Sequence, residues 1–187
     1  MEKIRCDWCK GDALYEAYHD LEWGVPLKDD HALFEFLILE TFQAGLSWIT
    51  VLRKRENFRE AFDNFDYQKI ANYSDKKVEQ LLTNAGIIRN KLKVRATITN
   101  AQAFMAVQKE FGSFTDYIWG FVNGSPIKNG FETMAQIPAN TALSDSISKD
   151  LKKRGFKFVG STVVYAHMQA TGMVNDHIVS CFRYNEV

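Results

Sequence analysis

The chain has 187 residues, of which 46% are apolar; 14 are Phe, whereas only 11 are Gly and 3 are Pro. This length suits one domain with a substantial core, and so few Gly and Pro favour helices over many short strands. Lys plus Arg number 23, as do Asp plus Glu, so the net charge gives no sign of a nucleic-acid partner. Any nucleic acid would have to bind a local basic patch on the surface. Neither a signal peptide nor a run near the ~20 apolar residues of a membrane span is evident, so we expect a cytoplasmic, single-domain, all-α protein over 1–187.

The first strongly periodic segment follows Asp29 or Asp30, either of which is a suitable helix N-cap. Residues spaced at intervals of three and four lie on one face of this helix: Leu33, Phe36, Leu37, Glu40 and Ala44. Glu40 therefore lies on the apolar face, whereas Glu35 falls off it and is expected to be solvated. The pattern predicts one buried carboxylate that needs a partner.

A break at Gly45 separates this helix from a second one that starts near Ser47 and runs through 49–58. Trp48 lies eight residues after Glu40, so a carboxylate and an indole can face one cavity. That combination suits a flat, electron-poor ligand with N–H donors. A core pairing of Glu40 with an Arg or a Tyr explains the pattern equally well.

A helix pair is predicted over about 75–104. Ser74 can cap the first helix, and a turn containing Gly86 leads into the second, which runs to about Phe104. Backbone N–H groups at such a turn can hold a phosphate, and nearby cations add attraction for a nucleic-acid backbone. The cations that follow the turn are Arg89, Lys91, Lys93 and Arg95. A solvated pair of helices without a ligand is the alternative.

Further helices are predicted within 111–120 and over 144–154, 163–170 and 175–181. A helix over the last range would place His177 and Cys181, four residues apart, on one face where both can bind one ion. Cys6 or Cys9 together with His19 can complete four zinc ligands and join the two ends of the chain. The other histidines are expected to be ordinary core or surface residues: His31 and His167. A disulfide framework or a redox pair is less consistent with the sequence than a metal site, because there are only three cysteines and no second Cys-x-x-Cys motif.

Four stretches carry a resemblance to a known family: YEAYHDLEWGVP, LETFQAGLSWITVLRKRENF, NAGIIRNKLKV and LKKRGFKFVGSTVVYAHMQATGMVNDHIVSC. Together, in this order and spacing from Cys6 to Cys181, they resemble the DNA-3-methyladenine glycosylase I family, the zinc-containing branch of the helix-hairpin-helix glycosylases. The resemblance implies an all-α enzyme that flips N3-methyladenine out of alkylated duplex DNA. Hydrolysis of its N-glycosidic bond would leave an abasic site, without lyase activity.

The resemblance also assigns residues. It implies a closed, structural zinc site on Cys6, His19, His177 and Cys181 that takes no part in bond cleavage. Cys9 is left without a role. The resemblance implies a base pocket of Glu40, Tyr18 and Trp48 with Trp8 beside it, whereas Tyr15 and Trp23 are expected in the core. It implies that the Gly45–Leu46 turn contacts DNA at the gap left by the flipped base. It also implies that the hairpin contacts the DNA backbone through Gly86, Ile87, Arg89, Lys91 and Lys93. No counterpart of the superfamily's catalytic Asp is evident, so Glu40 is the candidate catalytic residue. The chain is expected to act as a monomer.

Two other classes of function remain open on the sequence. A non-catalytic helical zinc protein would use the hairpin but would have no need of a carboxylate facing an indole. A metalloenzyme with catalytic zinc would require an open coordination position.

Overall fold

In a computed structural model that describes residues 3–187, the chain forms ten α-helices and one pair of two-residue strands. The helices are α1 (Ala13–Leu21), α2 (Asp30–Gln43), α3 (Trp48–Leu52), α4 (Arg55–Ala61), α5 (Tyr67–Ile70), α6 (Asp75–Thr83), α7 (Lys91–Phe111), α8 (Phe114–Gly120), α9 (Ala142–Lys153) and α10 (Ser161–Ala170). Strands β1 (Ile127–Lys128) and β2 (Val174–Asn175) pair in parallel, with Ile127 opposite Val174. The all-α prediction is confirmed. Within 3–187, no helix is both long and apolar enough to cross a membrane.

Helix α2 lies at the centre of the fold. The Asp29 side chain caps it by accepting from the N–H of Ala32 (2.8 Å). Every residue from Leu33 to Phe42 is buried, since α3, α7, α8 and α10 all pack against this helix. A helix covered on all sides has no solvated face. Any carboxylate in its middle turns must therefore be paired within the protein or face a cavity.

This arrangement corrects the prediction that Glu35 is solvated. Glu35 is buried and accepts hydrogen bonds from Arg55 Nε (2.6 Å) and Arg59 Nη2 (2.8 Å), both on α4. Arg55 also reaches Glu22 (2.7 Å). Periodicity placed Glu35 off one apolar stripe, but it could not show that α4 covers the other side of α2 with arginines that neutralise the carboxylate.

Several helix boundaries differ from the predictions. The helix expected over 47–58 is two helices, broken at 53–54, and α7 continues to Phe111, where Gly112 ends it at φ +90°. The helix expected over 175–181 does not form, since Asn175 ends β2 and 176–181 is irregular. The side chain of Asn175 accepts from the N–H of His177 (3.1 Å) and donates to the carbonyls of Tyr184 and Val187 (3.0 Å each). Such side-chain bonds offer the backbone an alternative to the helix.

The segment after α1 lies directly on the end of α10. Gly24 N–H donates to Gln169 O (3.1 Å), and Leu27 N–H donates to Thr171 O (2.9 Å). Gly172 makes this approach possible: its φ is +71°, and a Cβ there would lie 2.5 Å from the carbonyl carbon of Val25.

Gly172→Ala is expected to lower the free energy of unfolding by at least about 2 kcal/mol. It adds left-handed backbone strain of roughly 1–2 kcal/mol to an overlap with backbone, which overpacking data place at about 1–3 kcal/mol. Urea denaturation measures the loss. Gly155→Ala is the matched control, because Gly155 has φ +96° but nothing within 4 Å of an added Cβ. Equal losses in the two variants would contradict the overlap.

Candidate active site and metal centre

Four side chains from the two ends of the chain form a buried cluster: Cys6, His19, His177 and Cys181. Their candidate ligand atoms all lie within 4.8 Å of one another. Cys181 Sγ is 3.5 Å from His19 Nε2 and 3.6 Å from His177 Nδ1, and Cys6 Sγ is 3.8 Å from His177 Nδ1. A tetrahedral zinc ion with Zn–S near 2.3 Å and Zn–N near 2.0–2.1 Å requires an S···N separation of about 3.6 Å. The cluster therefore fits one four-coordinate ion with every position filled by protein.

Each imidazole forms a hydrogen bond with a residue outside the cluster, and this bond fixes which of its nitrogens faces the cluster. His19 Nδ1 bonds to Asp20 Oδ1 (2.8 Å), and Arg5 in turn holds Asp20 with Nε (2.9 Å) and Nη2 (2.7 Å). His177 Nε2 donates to Trp23 O (3.1 Å). Partners of this kind are typical of metal-bound histidines, since they leave the other nitrogen as a ligand.

The structure also separates the two N-terminal cysteines. Cys9 is buried outside the cluster; its thiol donates to Cys6 O (3.2 Å), and burial raises its pKa to about 11. Within the cluster, hydrogen bonds from Cys6 and the two imidazoles lower the pKa of Cys181 and favour a thiolate. Of the two competing cysteines, Cys6 is thus the one that belongs to the cluster that could hold a metal ion.

A cavity of about 250 Å³ lies beside this cluster, close to the lower end of the ~300–1,000 Å³ usual for small-ligand sites. It brings together the four residues predicted for a base pocket: Trp8, Tyr18, Glu40 and Trp48. The rings of Tyr18 and Trp48 have centroids 5.6 Å apart. The cavity is therefore walled by aromatic faces and holds one carboxylate.

Glu40 has no partner in the core. It is 3% exposed, its Oε2 accepts no hydrogen bond from any described residue, and burial raises its pKa to about 8. Trp48 Nε1 is likewise buried without an acceptor. Unpaired buried polar groups are costly and are normally absent from cores. Since Glu35 on the same helix is fully paired, the lone Glu40 marks a site for a ligand rather than a core ion pair.

The raised pKa of Glu40 predicts a specific pH dependence of stability. The folded state keeps the proton up to about pH 8, whereas the unfolded chain loses it near 4.5. Wild-type stability should therefore fall, relative to Glu40→Gln, by up to about 1.4 kcal/mol per pH unit between these two values. Urea denaturation of both proteins at pH 5, 6 and 7 measures the difference. A constant difference would mean that Glu40 is already ionised in the free protein.

The aromatic wall of the cavity touches the Cys/His cluster. Trp8 lies edge-on to His19 (ring centroids 5.4 Å apart), and Trp23 lies edge-on to His177 (4.6 Å). Trp8 and Trp23 also contact each other (5.1 Å). The cluster and the cavity are therefore neighbours that share a wall.

The hairpin between α6 and α7 spans 84–90, and Ser74 caps its first helix as predicted. Gly86 packs tightly there, since an added Cβ would lie 3.0 Å from Asn84 Oδ1 and 3.2 Å from Asn57. Ile87 is buried beneath the turn, whereas Arg89 and Lys91 are exposed and form no ion pair with another described residue. The exposed pair remains available for an anionic ligand.

Lys93 does not belong with these exposed cations, contrary to the prediction. It is 7% exposed, and its ammonium donates to Phe42 O (2.9 Å) and Ala44 O (2.6 Å) at the C-terminal end of α2. Cations are stabilised by the unpaired carbonyls at a helix end. Lys93 therefore ties the hairpin helix to the Gly45–Leu46 turn, where Gly45 has φ +84° and Leu46 is 42% exposed.

A family model described as methyladenine glycosylase matches residues 8–184. The chain belongs to this family. It is a glycosylase, and it is 52% identical to DNA-3-methyladenine glycosylase 1 of Escherichia coli (strain K12), with 96% of each chain aligned. The identity to DNA-3-methyladenine glycosylase of Haemophilus influenzae is 47%, covering 95% of this chain and 96% of that one.

Solved structures agree with this assignment. A crystal structure of 3-methyladenine DNA glycosylase I superposes with a TM-score of 0.93 at 53% identity, covering 96% of this chain and 98% of that one. A structure of 3-methyladenine DNA glycosylase I from Staphylococcus aureus, described as the basis of its 3-methyladenine recognition, gives 0.93 at 35% identity with 95% of each chain covered.

The cavity of this glycosylase has further lining residues that sequence reasoning did not place there: Tyr15, Trp23, Gln43, Met134, Ile137, Ala166 and Gln169. Tyr15 and Trp23 belong to the N-terminal aromatic cluster, which was expected in the core. Met134, Ile137, Ala166 and Gln169 carry no local signal, since they reach the cavity only through the tertiary fold. Gln43, one helical turn after Glu40, is the residue that spacing alone could have found.

Proposed function

We propose that this glycosylase flips N3-methyladenine out of alkylated duplex DNA, hydrolyses its N-glycosidic bond and leaves an abasic site. The observation that supports this most directly is the buried, unpartnered Glu40 carboxyl group, which lines the same cavity as Trp48. Enzymes that act on a base in duplex DNA extrude it into such a pocket, and a damaged base costs least to flip.

Charge explains how the cavity would select its base. N3-alkylated adenine in DNA is cationic, and an opposite charge favours the ionised form of a carboxyl group. Glu40 would ionise as the lesion enters, pair with the cation and accept from its exocyclic amine, while Trp48 stacks on the ring with a cation–π contribution. Guanine carries an oxygen where adenine has the amine, and that oxygen would face the carboxylate.

The positive charge also prepares the bond for cleavage. When the bond between the sugar C1′ and the base breaks, its electron pair goes to the base, which leaves as a neutral molecule. Water adds to C1′ and releases a proton. Glu40 holds the base in position and stabilises the cationic state. A lyase would require an amine in the cavity, and no Lys is among the described lining residues.

The surface around the cavity supports duplex DNA as the partner. The exposed Leu46 on the Gly45 turn would enter the gap left by the flipped base, and the hairpin with Gly86 would bind a phosphate through backbone N–H groups. Lys93 would keep these two elements at a fixed separation. We propose that the chain does this as a monomer.

We further propose one zinc ion on Cys6, His19, His177 and Cys181. A closed site of this kind supplies cross-linking of the chain ends and no open position for substrate.

Excision of the base tests the proposed function directly. The protein is incubated with duplex DNA treated with a methylating agent, and the released free bases are separated by chromatography and compared with a sample without protein. N3-methyladenine should appear faster than in that control, and the DNA strand should remain intact until alkali is added. Retention of N3-methyladenine on the DNA would refute the proposal.

Lys91→Ala should flatten the salt dependence of DNA binding. Each phosphate contact contributes about 0.9 to the slope of log K against log salt, so the slope should fall by about one unit. Fluorescence anisotropy with unmodified duplex DNA at several salt concentrations measures it. Lys109→Ala is the matched control, since Lys109 is also exposed on α7 but lies about 27 Å away along the helix. Parallel slopes in wild type and Lys91→Ala would place the phosphate elsewhere.

A further inference from the structure

Gln169 lines the same cavity as Glu40 and Trp48. It lies in the last turn of α10, where its carbonyl accepts from the N–H groups of Gly24 (3.1 Å) and Gly172 (3.4 Å). Its side-chain Nε2 donates to Asp176 Oδ2 (2.9 Å). Both ends of this glutamine are thus fixed by hydrogen bonds.

Asp176 is a buried carboxylate that is surrounded by donors. It is 1% exposed, and besides Gln169 it accepts from Tyr165 OH at Oδ2 (2.7 Å) and from Asn129 Nδ2 at Oδ1 (2.6 Å). Both oxygens of Asp176 act as hydrogen-bond acceptors, so the amide beside it presents its donating nitrogen. The nitrogen of Gln169 must face Asp176, because the reversed amide would bring two acceptor oxygens together.

The oxygen of the same amide is therefore left for the cavity. No described residue donates to Gln169 Oε1, and this oxygen is not fully buried. The cavity then presents two kinds of acceptor, the carboxylate of Glu40 and the amide oxygen of Gln169. Two acceptors match an exocyclic amine, which has two hydrogens, and oppose an oxygen at the same position.

We propose that Gln169 is a specificity-determining residue, an inference that rests on the proposed function. Asp176 orients its amide so that the oxygen accepts from the 6-amino group of the flipped base and disfavours 6-oxo purines. Glu40 pairs with the charge of the lesion and accepts one hydrogen of its amine, and Gln169 accepts the other hydrogen and opposes an oxygen at C6. Asp176 acts through Gln169 and is a positioning residue.

The proposal is tested with two free bases that carry different substituents at C6, 3-methyladenine (amino) and 3-methylhypoxanthine (oxo). Their dissociation constants are measured by quenching of tryptophan fluorescence. Gln169→Leu should weaken 3-methyladenine binding about tenfold or more relative to 3-methylhypoxanthine, since it removes an acceptor for the amine and a repulsion for the oxygen. Asp176→Asn should reduce the same preference, because the new amide can donate to Gln169 Oε1 and reverse it.

Tyr165→Phe is the matched control, since it removes one donor to Asp176 but leaves the bond to Gln169 intact. It should keep the wild-type preference, and an equal loss in this variant would attribute the effect to general repacking and overturn the proposal. Melting temperature and zinc content are measured for each variant because Asp176 precedes His177. If Asp176→Asn does not fold, Gln169→Leu alone decides. An unchanged preference in a folded Gln169→Leu protein refutes the role of Gln169, whereas failure of the wild type to bind 3-methyladenine would refute the proposed function itself.

Discussion

Replacement of Glu40 by Gln is expected to slow release of N3-methyladenine by roughly 10- to 150-fold, the range that corresponds to loss of a hydrogen bond to a charged partner worth about 1.5–3 kcal/mol. The variant keeps the shape of the side chain but loses the charge that would pair with a cationic base. Its fold should be at least as stable as the wild type near neutral pH, because the wild-type carboxyl group must take up a proton on folding, whereas the amide need not. Single-turnover excision from methylated duplex DNA measures the effect.

Glu35→Gln provides the matched control. Glu35 is on the same helix and is also buried, but its carboxylate is held by Arg55 and Arg59 and does not line the cavity. This variant should lose stability and keep excision at a temperature where it is folded. Affinity for unmodified DNA should be unchanged in Glu40→Gln. Excision by Glu40→Gln at the wild-type rate would remove Glu40 from the mechanism.

Loss of the metal site is expected to have the largest effect on stability. Structural zinc contributes on the order of 10 kcal/mol, which is comparable to the 5–15 kcal/mol by which whole domains are stable. Cys6→Ser should therefore lower metal content from about one ion per chain to well below that and should destabilise the fold severely. Elemental analysis and thermal denaturation measure the two effects.

Cys9→Ser separates metal ligation from the mere loss of a buried thiol. Cys9 is as buried as Cys6 but lies outside the cluster, so this variant should keep its metal and nearly all of its stability. Loss of metal in both variants would show that Cys9 takes part. A metal-free Cys6→Ser protein that is fully stable and lacks only excision would instead support a catalytic metal.

The sequence predicted features that depend on local chemistry. The caps at Asp29 and Ser74 are confirmed, because a capping side chain acts within three residues of itself. The position of Glu40 on a buried face is also confirmed. Glu35 and Lys93 were misplaced because the groups that neutralise them come from other elements, α4 in one case and the end of α2 in the other. Periodicity carries no information about what covers the second side of a helix.

The four side chains predicted as metal ligands do form one cluster, although one premise of the prediction was wrong. His177 and Cys181 were placed together by assuming a helix, yet their side chains meet (3.6 Å) from an irregular segment that Asn175 organises. The family resemblance supplied the remaining choice between Cys6 and Cys9, and the structure agrees with it. Gln169 and Met134 could not be predicted, since only the folded chain brings them to the cavity.

The pairing of the chain ends bears on the order in which the molecule folds. Cys6 and His177 are 171 positions apart, and Trp8, which follows one of them, lines the same cavity as Gln169 near the other. Contacts of such long range form slowly, because the entropy of closing the loop is lost before the contact is gained. The helices around α2 can pack through shorter-range contacts, whereas the cavity exists only after the two ends have met. We therefore expect the cavity to be completed late in folding, and opening of the chain ends to disassemble it while the central helices remain packed.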